Sequence, residues 1–311
     1  MKIEKVVFSS SEQYSDFWNI QSKVFKEGLG IEPVCLLFGK KENTDVTEKY
    51  GKVHEMEFID NLPKILQIIW SKFYFTKHEP ETVWMTGDID LIPLNRDYFI
   101  KNIEHCEDDS FLHLNWDACN PGGSAGWMRG PMLLMQNGTN LPAHYHVAKG
   151  RVFEEVYGCS VTFEEQIQDI MSSIIASRTY GHMRAENRLD VRDKEEYWWT
   201  AEEIYSSARL WSKVMKNEVK FHGFSYNNVN NTQCISRHIF DHQKNDYIYD
   251  KQKLRNKEYV DLHCARGFGT QATDQNWWDE KTGFAPAPTG FKLYEEQTMR
   301  IIRESGILDK Q

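Results

Sequence analysis

The sequence predicts an α/β fold with a mostly parallel sheet flanked by helices, on three observations. Short β-branched and aromatic runs alternate with stretches of helical spacing through the first 115 residues. Glycine, proline or asparagine stands where many of these runs have to stop. Successive strands are separated by helices, and that order requires crossover connections of the βαβ kind.

The elements follow in chain order. KVVFSS (5–10) is a first strand. SDFWNIQSKVFKEGLG (15–30) places Phe17, Ile20, Val24 and Phe25 near helical spacing and ends in glycines suited to a C-cap. PVCLLFG (33–39) is a buried strand stopped by Gly39, and KVHEMEFI (52–59) alternates as a strand. NLPKILQIIWSKFYFTKH (61–78) reads as a helix, with Asn61 as N-cap and Pro63 in its first turn. TVWMTG (82–87) and SFLHLNWD (110–117) are further strands. Beyond residue 120 the pattern loosens. Two helices still stand out: TFEEQIQDIMSSIIAS (162–177), opened by a Thr162/Glu165 capping box, and TAEEIYSSARLWSKVM (200–215). Residues 217–311 have weak periodicity, and we expect one continuous domain with a C-terminal elaboration.

Composition narrows the function. The chain has 311 residues, 40% hydrophobic and 27% charged, which is ordinary for a globular protein. A net charge of −9 argues against a general nucleic-acid binder, which needs a basic footprint. It also means that a diphosphate ligand would need a cation beside it. The N-terminus lacks the apolar run of a signal peptide, and no stretch reaches the roughly 18 uninterrupted apolar residues of a membrane span. We therefore expect a cytoplasmic protein. Six scattered cysteines without a CxxC pair fit free thiols.

One stretch stands apart. VWMTGDIDLIPLN (83–95) sets Asp88 and Asp90 inside an otherwise apolar run, just past a strand that ends at Gly87. Ligands of open α/β sheets bind outside the carboxyl ends of strands. An extended chain would point both carboxylates one way and send Ile89 and Leu91 into the core. Two carboxylates there make an oxygen cluster for Mg²⁺ or Mn²⁺. An EF-hand is excluded, because its glycine and glutamate positions hold Pro93 and Phe99. The bland alternative is a capped turn, or an ion pair with Arg96.

T-G-D-I-D-L-I-P-L resembles the D-x-D segment of GT-A-fold glycosyltransferases. S-A-G-W-M-R-G (124–130) is similar to the N-A-G-x-M segment that lines the sugar site in that fold, and Y-V-D-L-H-C-A-R (259–266) resembles a late segment whose histidine completes the metal site. Small glycosyltransferases of large viruses and of bacterial surface-glycan pathways look similar. The resemblance implies a GT-A-like, Rossmann-like fold, with 1–115 as the nucleotide-binding half, 116–270 as the acceptor and catalytic half, and 271–311 as an extension. It implies a Mn²⁺ or Mg²⁺ ion held by Asp88, Asp90 and His263. It also implies a nucleotide-sugar donor at Phe8, Ser9, Ser10, Gly87 and Asp88, and a glycan or glycoprotein acceptor. His263 reads equally well as a core histidine, and Asp261 shares its strand face. Lys72 or Arg96 could touch phosphate, although a solvated surface role suits either better.

An inverting enzyme needs a general base for the acceptor hydroxyl. Glu202 and Glu203 in W-W-T-A-E-E-I-Y resemble a W-x-x-D-E segment, with Glu in place of the usual Asp; Asp117 is the second candidate. Glutamates early in a helix also simply suit its dipole. Trp116, Trp127, Trp198 and Trp199 could stack on sugar or pack the core. His238 and His242 share a helical face, and His144 and His146 alternate as in a strand. Two other functions remain open. A nucleotidyltransferase would usually carry a glycine- and lysine-rich phosphate loop, which SSSEQYSDF lacks; a non-catalytic carbohydrate-binding protein would not need Asp88 and Asp90.

Overall fold

The computed structural model describes residues 1–115, 141–142, 144–176, 199–224, 233–235, 240–241, 244–264 and 290–309, with the backbone alone for 174–176, 199–204, 233, 240, 290 and 293. The strands described are β1 (Lys5–Ser11), β2 (Glu32–Phe38), β3 (Lys52–Met56), β4 (Val83–Thr86), β5 (Leu91–Pro93), β6 (Phe111–Leu114), β7 (His146–Lys149), β8 (Phe221–Phe224), β9 (Gln233–Ile235), β10 (Phe240–Asp241), β11 (Asp246–Tyr247) and β12 (Tyr259–His263). The α-helices are α1 (Trp18–Lys23), α2 (Lys64–Phe75), α3 (Arg96–Ile100), α4 (Gly150–Tyr157), α5 (Phe163–Ala176), α6 (Trp199–Met215), α7 (Lys251–Arg255) and α8 (Gly290–Ser305). The fold is mixed α/β, with a seven-stranded, mostly parallel sheet flanked by helices.

Contacts divide the chain into two compact units that alternate along the sequence. The first comprises Met1–Met56, Gly87–His105 and Tyr226–Gln311; the second comprises Glu57–Thr86 and Cys106–Ser225.

In the first unit β3, β2 and β1 pair in parallel, as the intervening helical run demands. That run is three helices in series: a 3₁₀ turn at Glu12–Phe17, α1, and a π-helical Val24–Leu29. It ends at Gly30, whose φ of 75° is the left-handed cap the glycines predicted. Phe17, Ile20, Val24 and Phe25 are all buried, as their spacing required. The ring of Phe8 packs edge-on against both Trp18 and Phe25. A second sheet, β5-β12-β9, sets β12 antiparallel to β5 and parallel to β9.

In the second unit the strand order is β4-β7-β6-β8, with β7 antiparallel to both neighbours and β6 parallel to β8. Trp70 of α2 anchors the helical layer against Tyr157 of α4 and Tyr205 of α6. Residues Thr162 and Glu165 form the expected capping box, each accepting the other's backbone N–H. The start of α2 differs from expectation. Asn61 takes a left-handed φ of 63° and Pro63 is the cap residue, with no side-chain cap bond. Gln67 holds this entrance instead, donating to the carbonyls of Ile59 and Leu62 and accepting the Ile59 N–H. Among the described residues, no helix is long and apolar enough to cross a membrane.

Candidate functional site

The acidic pair lies in the first unit. Gly87 follows β4 and donates its N–H to the Val7 carbonyl at 2.9 Å. A Cβ on Gly87 would stand 2.3 Å from the Phe8 ring, so only glycine lets the chain pass this close. The segment then departs from the extended path that the sequence suggested. Leu91 N–H returns to the Asp88 carbonyl at 3.1 Å, closing a turn over Asp88–Leu91. Ile89 and Leu91 are buried in the core as expected.

Two polar side chains that the sequence reading passed over hold this turn. Gln21 of α1 is wholly buried, and its amide donates to the Asp88 carbonyl at 3.1 Å and to the Leu91 carbonyl at 2.5 Å. Tyr14 donates its hydroxyl to Asp90 Oδ2 at 3.2 Å. Gln21 had left a signal, being a polar residue among helically spaced apolar ones. Nothing in the sequence marked Tyr14.

Asp88 is half-buried, whereas Asp90 is only 2% exposed. A carboxylate this deep needs partners. β12 supplies one. Its register sets His263 opposite Leu91, and the Cys264 N–H donates to the Asp90 carbonyl at 2.8 Å. His263 Nε2 thereby comes to 3.6 Å from Asp90 Oδ2. Chain positions more than 170 residues apart are brought together by strand pairing alone. Asp261, on the same strand, is wholly buried. The Cys234 thiol is bonded to it and is pushed well above its ordinary range, by burial first and by the Asp261 charge second.

The donor set can be tested against the implied cation. Oxygen and imidazole suit Mn²⁺. Neighbouring ligands on an octahedral ion with bonds of about 2.1 Å stand about 3 Å apart, so a 3.6 Å gap needs only a small closure. Among the described residues no group of three His, Cys, Asp or Glu side chains could hold a metal by itself. Mg²⁺-type ions are ordinarily held by one or two carboxylates and completed by substrate phosphate and water, so this sparse set fits an ion that arrives with a diphosphate.

The remaining candidates separate. Phe8 keeps its ring in the core with no exposure, so its side chain does not line a ligand site and only its backbone reaches the strand tip. Ser9 is half-buried, and Ser10 is buried with its hydroxyl donating to the Ser11 carbonyl at 3.1 Å. Glu202 and Glu203 fall in the first turns of α6, residues 199–204, for which only the backbone is described. Asp117, Trp116, Trp127, Trp198, residues 124–130, His238 and His242 lie outside the described residues. Lys72 is not on the surface, as its charge suggested, but 2% exposed. Arg96 donates to the Gly28 carbonyl at 2.9 Å rather than pairing with Asp88 or Asp90. The described cysteines 35, 106, 159, 234 and 264 are free thiols, and burial pushes that of Cys35 up to about 12.

No protein-family model and no curated protein matches the chain. Among solved structures it is similar to the apo-form glycosyltransferase GlyE of Streptococcus pneumoniae TIGR4, at 11% identity and a TM-score of 0.32, over 75% of this chain and 68% of that one. A likeness that loose carries no argument about function.

Proposed function

We propose that this chain is a metal-dependent glycosyltransferase of GT-A-like fold. It moves a sugar from a nucleotide-diphosphate donor to a hydroxyl of a glycan or glycoprotein. The observation that supports this best is the buried Asp90 carboxylate, presented by a turn at a strand end and faced by His263 at 3.6 Å.

Asp90 and His263 would hold Mn²⁺ or Mg²⁺, with Asp88 beside them on the same turn. When bound, the cation neutralises charge on the departing diphosphate. The backbone of Phe8, with Ser9, Ser10 and Gly87, would line the base and ribose at the tip of β1. Asp88, half-buried, would meet ribose or cation. The sugar's anomeric carbon gains oxocarbenium character as the bond to phosphate breaks, and the acceptor oxygen bonds to it. In an inverting reaction one carboxylate must take the acceptor's proton, and Glu202, Glu203 and Asp117 are the candidates.

A panel of nucleotide sugars, assayed with and without Mn²⁺ for nucleoside diphosphate release and for thermal stabilisation, tests the reading. Mn²⁺-dependent release of nucleoside diphosphate is expected. Release of pyrophosphate would replace this reading with a nucleotidyltransferase, and glycan binding indifferent to metal would replace it with a carbohydrate-binding protein.

A further inference from the structure

The segment after β1 does more than cover the sheet: two of its side chains grip the acidic turn at different levels. Gln21 secures the backbone, bonding the carbonyls of Asp88 and Leu91 with one amide. Its own Oε1 is buried without a partner, so the residue bears the cost of an unpaired acceptor in order to hold the turn. With the backbone fixed, what remains loose at Asp90 is rotation about its side-chain bonds. Tyr14 addresses that rotation, because its hydroxyl reaches Oδ2, the same oxygen that faces His263 Nε2. The Tyr14 ring is in turn seated against Phe17 at 5.6 Å between centroids, and Phe17 packs edge-on against Phe291 at 5.7 Å. The hydroxyl therefore hangs from a packed aromatic base.

We propose that Tyr14 is a positioning residue for the cation, orienting the Asp90 carboxylate through the bond to Oδ2. This rests on the proposed metal-binding role of Asp90. A carboxylate ligand held by an outer hydrogen bond loses less rotational freedom on binding than one that must be frozen by the ion itself. The present 3.2 Å is long for a hydroxyl donor, as contacts of this kind often are before the ligand arrives. The proposed role is exerted through the bond to Asp90, so removing the hydroxyl should weaken cation binding without disturbing the packing of the ring.

Titration of the full chain with Mn²⁺, following the free ion by electron paramagnetic resonance, tests this without any donor sugar. Tyr14→Phe should weaken Mn²⁺ binding by about 10-fold or more, in the range that outer partners of metal ligands command. Its metal-free melting temperature should stay at the wild-type value. Phe111→Leu, buried against Phe153 and Tyr157 in the second unit, is the control for structure: it should lower the melting temperature and leave Mn²⁺ affinity in place. Equal affinity in wild type and Tyr14→Phe, with binding lost in Asp90→Asn, would overturn the positioning role alone. An equal weakening in Phe111→Leu would also overturn it, by reducing the effect of Tyr14 to one of general stability. Affinity unchanged in Asp90→Asn would remove the metal reading and this proposal together.

Discussion

His263 in the first unit and the pair His113–His146 in the second put the same side chain in opposite settings. His263 is 24% exposed and faces a carboxylate oxygen. His113 and His146 are wholly buried, with ring centroids 4.5 Å apart. Their Nε2 atoms both lie against the Pro142 carbonyl, at 2.8 and 2.7 Å. A carbonyl only accepts, so each Nε2 carries the proton, and His146 Nδ1 accepts from the Tyr157 hydroxyl at 2.7 Å. Phe73 tilts against the His146 ring and Phe111 meets it edge-on, and the Lys72 charge lies nearby. Burial drives the His113 pKa down to about 3 and that of His146 well below its ordinary value. An imidazole beside an anion and partly open to water is equipped to take a ligand. A pair locked onto one carbonyl among aromatic rings is equipped to stay neutral and hold a fold.

The sharpest break of that contrast is Asp90→Asn. It removes the anion from the His263 setting, and turnover should fall by about 10³-fold or more, the several kcal/mol that a bound metal contributes to charge stabilisation. The unfolding transition should remain cooperative and close to that of the wild type by circular dichroism. Undiminished turnover would end the assignment.

The histidine pair predicts an acid weakness. The folded state lowers these pKa values, so below the ordinary 6.5 the unfolded chain binds more protons than the folded one. Stability is whole above about pH 6.5 and is lost as pH falls through it, for His113 down to about 3. Urea unfolding at pH 5.0 should give a free energy lower than at pH 7.5 by about 2 kcal/mol from His113, with His146 acting in the same direction. The double variant His113→Gln/His146→Gln should flatten that slope, whatever it does to stability at neutral pH. An unchanged slope would sink the account.

Gly87→Ala probes how tightly the acidic turn is set against the core. The new methyl meets the Phe8 ring, and the clash should cost about 1–3 kcal/mol in urea unfolding. A smaller effect, about 1–2 kcal/mol, is expected for Tyr157→Phe, which leaves His146 Nδ1 buried without its donor. Neutral behaviour of that variant would show the Tyr157 bond to be incidental.

Much of this was legible locally. The strands β1, β2, β3, β4 and β6, the Gly30 cap and the Thr162 box follow from residue spacing and from which side chains can cap or turn. Asp88 and Asp90 drew attention because charge in an apolar run needs a reason. The turn they occupy was not legible, since its closure depends on Gln21 reaching across from α1. Nor was the interior place of Lys72 or of the Phe8 ring, because a period of two or 3.6 sorts faces without saying which face is open. Cys234 is similar: the absence of a CxxC pair predicted a free thiol, but only the register of β9 against β12 gives it Asp261 as a neighbour.

By itself the sequence determined the α/β alternation and singled out two carboxylates at a strand's end, because both are set by interactions within a few residues. Tertiary structure decided which of the two is buried, which histidine faces it and which tyrosine steadies it. Those partners come from Tyr14, Gln21 and β12, and hydrogen bonds between residues so far apart in the chain form only once the strands have paired.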